Sequence, residues 1–304
     1  MRYGAIVAAV IVTSTLSGSD GPGRDDPAQF SLDVNRVEIT FSVIDRKGHF
    51  VALGRDDFAV YDDQRPQNII RFSAESELPL RLALVVDTSN SVRDRFRFLQ
   101  EAAIEFLNRS LRPGVDQAML VSFDVNAQVV ADLDSPGERL AQKVRELRPG
   151  ASTALYDAID LAARRLADAA RGGERYRFAI VIFSDGDDNE SHLTRDQALE
   201  AAQRANAVIF AVSTSTLEVP NVGDRVLRYL TSETGGNALF PFRPGDLARS
   251  FDNITSELRH QYNILYRPEP LSADGKFHTI EIRLKQASGF KVRARKGYYA
   301  PAPK

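Results

Sequence analysis

Residues 82–92 read LALVVDTSNSV, an unbroken apolar run followed by Asp87, Thr88, Ser89, Asn90 and Ser91. Such a cluster of side-chain oxygens has two chemical readings. Ser, Thr, Asp and Asn are the usual caps where a strand stops and a helix begins. The same oxygens also suit a hard cation such as Mg2+, which takes six oxygen ligands in near-octahedral geometry and retains water readily. Two further stretches bear on the choice. PGASTALYDAI (149–159) places Ser152 and Thr153 ahead of a helical pattern, and FAIVIFSDGDDN (178–189) places Asp185 just past a second apolar run. Asp87, Ser89, Ser91, Thr153 and Asp185 could together supply an oxygen shell, directly or through water. Because three of the five are neutral hydroxyls, an ion held by them would keep an affinity for one more carboxylate. Taken singly, each element is a cap or a turn more often than a ligand. Their joint occurrence at strand ends and helix starts favours the metal. Asp187 and Asp188 could add to the field at such a site, but read first as solvated loop acids.

The elements that must position these residues follow from periodicity. LALVV (82–86), AMLVSF (118–123), FAIVIF (178–183) and AVIFAVS (207–213) are near-continuous apolar runs. They predict strands buried on both faces, as in a parallel sheet. Between them Leu155, Ile159, Ala162 and Leu166 share one helical face, as do Leu247, Phe251, Ile254 and Leu258. Ser135 with Glu138, and Thr194 with Gln197, have the spacing of capping boxes, with Pro136 at a first helical position. Strand–helix alternation predicts a doubly wound, mostly parallel α/β domain over 79–260. In such a sheet ligands bind beyond the carboxyl ends of the strands, where Asp87 and Asp185 both fall.

The flanks have a different period. In VEITFSVID, Val37, Ile39, Phe41 and Val43 alternate with polar residues. FAVY and NIIRF read as short strands, and YNILY and FHTIEIRLK flank Asp274-Gly275, a hairpin signal. Neither flank has enough strands for a stable sheet of its own. Residues 31–78 and 261–304 are therefore expected to pair into one small β-sandwich with the α/β domain inserted between its halves.

Composition narrows the function classes. A formal net charge of −2 over 304 residues gives no electrostatic reason for a nucleic-acid partner. The absence of cysteine excludes disulfides, thiolate catalysis and cysteine zinc sites. Arg2, the apolar run Ala5–Val12 and Ser17-Gly18-Ser19 have the order of an export signal over 1–19, with 20–30 as a linker. The run is far below the ~20 residues that span a bilayer, so no membrane span is expected in a mature, periplasmic or extracellular chain.

Asp87-x-Ser89-x-Ser91, then Thr153, then Asp185 resemble the metal-ion-dependent adhesion site of the von Willebrand factor A domain, over about 80–260. The flanks VIDRKGHFVALGRDDFAVYDDQRPQNIIRFS and VRARKGYYAP resemble an exported bacterial von Willebrand A-related group, common in acidobacterial genomes. The resemblance implies a non-enzymatic adhesion module. Ser89, Ser91 and Thr153 would be inner ligands of Mg2+ (or of Mn2+ or Ca2+), with Asp87 and Asp185 coordinating directly or through water. A protein partner would supply an Asp or Glu carboxylate to the sixth position. Asn90 stands where many relatives have Gly, without obstructing the ligand positions.

Two rival classes remain in view. VVDTS resembles the Asp-Thr-Gly/Ser loop of aspartic peptidases, but those enzymes are all-β and need a second such loop, whereas Asp185 is followed by Gly-Asp. There is no G-x-S-x-G elbow for a serine hydrolase, and His49, His192, His260 and His278 are scattered. The other class is a scaffold that binds partners through surfaces independent of metal. Loss of partner binding on chelation separates it from the adhesion reading.

Overall fold

The four apolar runs become the central strands of a six-stranded sheet that carries, among the described residues, three helices on each face. The computed structural model describes residues 36–74, 78–133, 137–170, 175–215, 219–241, 244–285 and 289–303. The expected signal and linker (1–30), and Ser135 and Pro136 of one expected cap, lie outside the described residues. The strands of the large sheet are β5 (Leu80–Asp87), β6 (Gln117–Phe123), β7 (Ala127–Ala131), β8 (Arg177–Ser184), β9 (Ala207–Ser213) and β10 (Ala238–Leu239). Their order is β10-β9-β8-β5-β6-β7, with β7 alone antiparallel to its neighbour. Helices α1 (Phe96–Ser110), α2 (Gly137–Glu146) and α6 (Pro244–Arg259) cover one face; α3 (Leu155–Ala169), α4 (Arg195–Arg204) and α5 (Val222–Thr234) cover the other.

The run LALVV supplies both faces at once. Leu82, Leu84 and Val86 pack with Leu99, Phe106, Val144 and Phe251, while Ala83 and Val85 pack with Leu155, Ile159, Leu199 and Leu227. All five strand residues are fully buried, and each Leu or Val so placed contributes about 1.5–3 kcal/mol relative to exposure. That is why the segment shows no alternation: neither face meets water. Thr194 caps α4 as its spacing predicts, accepting from Gln197 N while Thr194 N donates to the Gln197 side chain.

The flanks form two four-stranded antiparallel sheets, and each draws strands from both ends of the chain. One joins β1 (Val37–Ile44) and β4 (Ile69–Ala74) with β11 (Tyr262–Tyr266) and β13 (Lys291–Ala294). The other joins β2 (Phe58–Asp62) and β3 (Arg65–Gln67) with β12 (Phe277–Leu284) and β14 (Gly297–Tyr299). Ile39, Phe41, Phe58, Val60, Ile264 and Ile282 fill the core between them. The chain is thus an α/β sheet domain inserted into a β-sandwich.

One expectation fails here. Asp274-Gly275 does not join β11 and β12 into a hairpin; the two strands lie in different sheets. Both edges of β11 are already paired, with β1 and β4, and both edges of β12 with β2 and β14. Gly275 N instead donates to Pro301 O, and Asp274 accepts from Lys276 N. Among the described residues no helix is long and apolar enough to cross a membrane.

Candidate metal site at the carboxyl end of the sheet

The parallel register of β5 and β8 pairs Val86 with Phe183, which brings the next residues, Asp87 and Ser184, together at the carboxyl end of the sheet. Asp87 is fully buried. Its Oδ1 accepts from Ser89 N at 2.8 Å and its Oδ2 from Ser184 Oγ at 2.7 Å. Ser184 Oγ in turn accepts from Gly186 N at 3.0 Å, so one hydroxyl ties the Asp87 carboxylate to the turn that carries Asp185.

Backbone bonds lock the three segments together. Thr88 N and Oγ1 both donate to Phe123 O at 2.9 Å, and Thr88 O accepts from Gly150 N. Asn90 N donates to Ala151 O at 2.8 Å, and Ala154 N to Asp124 O at 2.8 Å. Thr153 N donates to Asn189 Oδ1 at 2.9 Å, and Thr153 O accepts from Asn189 N and Glu190 N. The loop bearing Thr153 is therefore bolted on one side to the 87–91 turn and on the other to the 185–190 turn. The Thr153 side chain is buried, and its hydroxyl forms no hydrogen bond among the described residues.

Ser89 Oγ and Ser91 Oγ lie 2.9 Å apart. Two cis ligands of an octahedral ion with bonds of ~2.1 Å stand about 3.0 Å apart, so this pair has the spacing of adjacent ligands. Ser89 is buried and Ser91 exposed, which leaves the outer side of the pair open to solvent.

Charge at this end is left unbalanced. Burial pushes the Asp87 carboxyl up to about 6, against the lowering effect of its Ser89 and Ser184 hydrogen bonds, and the nearby Asp185 raises it further. Asp187 is raised too, first by burial and then by Asp185 and Asp224. Among the described residues none of Asp87, Asp185, Asp187 or Asp188 forms an ion pair with Lys or Arg. A buried carboxylate with only neutral donors is costly unless a cation completes it.

Sequence reasoning missed several contributors. Ser184 was invisible because a serine ending an apolar run carries no signal of its own. Asp188, read as solvated, is half-buried: it accepts from Leu155 N at 2.9 Å at the start of α3 and from Ser191 Oγ at 2.6 Å. Its position before a helix-facing loop was a cap signal that the run SDGDD obscured. Asp187 is exposed, as expected. His192 is also exposed and pairs with Asp157 at 2.9 Å.

A second group lies in the sandwich. Asp62, Asp63 and His278 have ligand atoms within 4.8 Å of one another, an arrangement able to hold a divalent ion. Each ring nitrogen of His278 faces a carboxylate, Asp63 at 2.8 Å and Asp274 at 3.1 Å, while Asp62 accepts from Tyr266 and Tyr298 hydroxyls. Carboxylates only accept, so a doubly protonated imidazolium satisfies this group without a metal.

Residues 82–188 match the family model of the von Willebrand factor type A domain. Such domains are in general binding modules that mediate protein interactions. Among solved structures, a von Willebrand factor type A protein from Catenulispora acidiphila is 14% identical, covering 90% of this chain and 75% of that one at a TM-score of 0.49. An aerotolerance-related membrane protein from Bacteroides fragilis is 16% identical over 59% of this chain and 98% of that one, at 0.47. Proximal thread matrix protein 1 from the mussel byssus, solved with a zinc-occupied MIDAS motif, is 16% identical over 65% of this chain and 49% of that one, at 0.48. No curated protein matches this chain.

Proposed function

We propose that this chain, with a von Willebrand factor type A domain as its α/β unit, is a non-enzymatic binding module. It captures a carboxylate of a protein partner through a divalent cation held by Ser89, Ser91 and Thr153, with Asp87 and Asp185 coordinating directly or through water. The observation that carries the reading is Asp87, a wholly buried carboxylate that accepts from Ser89 N and Ser184 Oγ and, among the described residues, pairs with no Lys or Arg. Those two bonds fix its orientation and leave a lone pair on each oxygen for the ion or its water.

Donor chemistry selects the metal. All five candidate ligands offer oxygen, none nitrogen or sulfur, which favours Mg2+, with Mn2+ or Ca2+ next, over zinc or copper. The bound ion supplies an electrophilic position at which an outside carboxylate replaces water. This chain's own residues do the rest: the hydroxyls keep the site's negative charge low, and the three interlocked turns hold the donors before the ion arrives. Val125, just past β6, is 37% exposed, and Val222, beside the Gly223 that stands against Asp185 O, is 63% exposed. Exposed apolar residues around a polar centre suit a protein surface better than a small solute. An exported, periplasmic or extracellular location accords with the signal-like order of residues 1–19.

The test is a calorimetric Mg2+ titration of the purified protein beside an Asp87→Ala, Ser89→Ala double variant. Saturable binding that disappears in the variant is expected. Absence of binding by the wild-type chain to Mg2+, Mn2+ and Ca2+ alike would sink the reading. Interaction partners should then be recovered in Mg2+ and released by chelator.

A further inference from the structure

Asp185 is held less firmly by its own turn than Asp87 is. The only hydrogen bond its carboxylate accepts among the described residues is from Asp187 N, at 3.2 Å. What stands against it is the first turn of α5, thirty-eight residues further along the chain at Gly223. Gly186 has φ +85, and a Cβ there would lie 2.3 Å from Gly223 O. A Cβ on Gly223 would lie 2.1 Å from Asp185 O. The two backbones are in direct contact, with no room for a side chain on either.

The turn pressed against Asp185 is itself rigid. Asn221 and Asp224 form a reciprocal capping box, with Asp224 N donating to Asn221 Oδ1 at 2.7 Å and Asn221 N to Asp224 Oδ2 at 3.2 Å. Ser213 Oγ donates to Asp224 Oδ1, and Asn221 Nδ2 to Ser215 Oγ at 3.0 Å. Thr214 N donates to Ser184 O at 3.0 Å, fastening the end of β9 to the end of β8. The backbone beside Asp185 is thus enclosed by α5 and the end of β9.

We propose that the first turn of α5, through Gly223, is a positioning element for the metal site: its backbone sets where Asp185 stands. The inference rests on the function proposed above. A methyl group on Gly223 needs at least 3.0 Å from Asp185 O, so the two backbones must part by about 1 Å. Metal–ligand distances tolerate about 0.2 Å. The displacement is therefore several times what coordination accepts, whereas packing alone could absorb it elsewhere.

The same helix offers a matched control. Gly236, just past the other end of α5, would place a Cβ 2.0 Å from Ile209 O, an equally close backbone contact far along β9 from the site. The experiment measures the Mg2+ dissociation constant and the thermal midpoint in chelator for the wild-type chain, Gly223→Ala and Gly236→Ala. Both variants are expected to melt lower. Only Gly223→Ala is expected to weaken Mg2+ binding, by about tenfold or more, the size seen when supports behind metal ligands are removed. An unchanged dissociation constant in Gly223→Ala, or an equal weakening in Gly236→Ala, overturns the proposal. If Gly223→Ala does not fold, Asn221→Ala loosens the same turn without a clash. It should weaken Mg2+ several-fold, and an unaltered constant there overturns the proposal as well. Failure of the wild-type chain to bind any divalent ion is a separate outcome and removes the underlying metal site.

Discussion

The two ends of β5 treat a buried aspartate in opposite ways. At the amino end Leu80 N donates to Asp116 Oδ1, and the Asp116 side chain is only 2% exposed. Burial alone would raise this carboxyl, but Arg112, bonded through Nε and Nη2, and the Leu80 and Arg112 amides outweigh it and hold it below the usual range. At the carboxyl end Asp87 is buried more deeply still, its donors are neutral, and its carboxyl rises to about 6. Cations crowd the first end: Arg177, 4% exposed, donates to the carbonyls of Leu78 and Leu258, where the chain enters and leaves the α/β unit. The first end balances its own charge. The second leaves the balance to something from outside, and the difference marks a structural junction on one side and a candidate binding site on the other.

The largest effect is expected where the internal balance is broken. Arg112→Ala strands a buried Asp116 and should cost about 3 kcal/mol in denaturant unfolding, with or without Mg2+. A loss that Mg2+ restores would mean that the two ends are not distinct. Asp87→Asn should act in the opposite sense. Its folded pKa of about 6 lies above the ordinary 3.8, so the native state takes up the proton more readily than the unfolded one. In chelator the wild-type chain should therefore gain stability as pH falls from about 6 towards 4, and lose it as pH rises through that window. Asn at this position should remove that slope, raise stability at pH 7 on the order of 1 kcal/mol, and abolish Mg2+ binding. A slope unaltered by the substitution would show that Asp87 is not the uncompensated group.

A smaller effect sharpens the contrast from the sandwich. Burial lowers the His278 pKa, but hydrogen bonds to Asp274 and Asp63 and the charge of both outweigh it, so the net shift is upward. The flanking Asp62 carboxylate accepts from Tyr266 and from Tyr298, whose ring stacks on His278. A raised histidine contributes stability that is complete below its unfolded value near 6.5 and is lost as pH rises through the folded value. His278→Gln should cost about 1 kcal/mol at pH 6 and progressively less at alkaline pH. A Mg2+-dependent midpoint that disappears in His278→Gln while persisting in Asp87→Asn would move the metal to the sandwich and reverse the comparison.

Particular residues show how much could be read in advance. The four buried strands were legible because a strand covered on both faces must be apolar at every position. Asp87, Ser89 and Ser91 could be grouped as candidate ligands in advance because they alternate within five residues of one short turn. Asp274-Gly275 misled because a turn signal describes only local backbone, while strand pairing depends on which edges are still free. Asp188 misled because an acid in an acidic run looks solvated until a helix start is placed above it.

What the amino-acid sequence determined by itself was therefore the four central strands, the helices between them and the oxygen-rich turns at their ends, though not the edge strands β7 and β10, since period, caps and turn residues act between near neighbours. Tertiary structure alone decided that Ser184 stands against Asp87, ninety-seven residues away, and that Gly223 stands against Asp185. Those contacts follow from the strand order β9-β8-β5, and strand order is a property of the assembled sheet, where edges compete for partners and no single segment encodes the outcome.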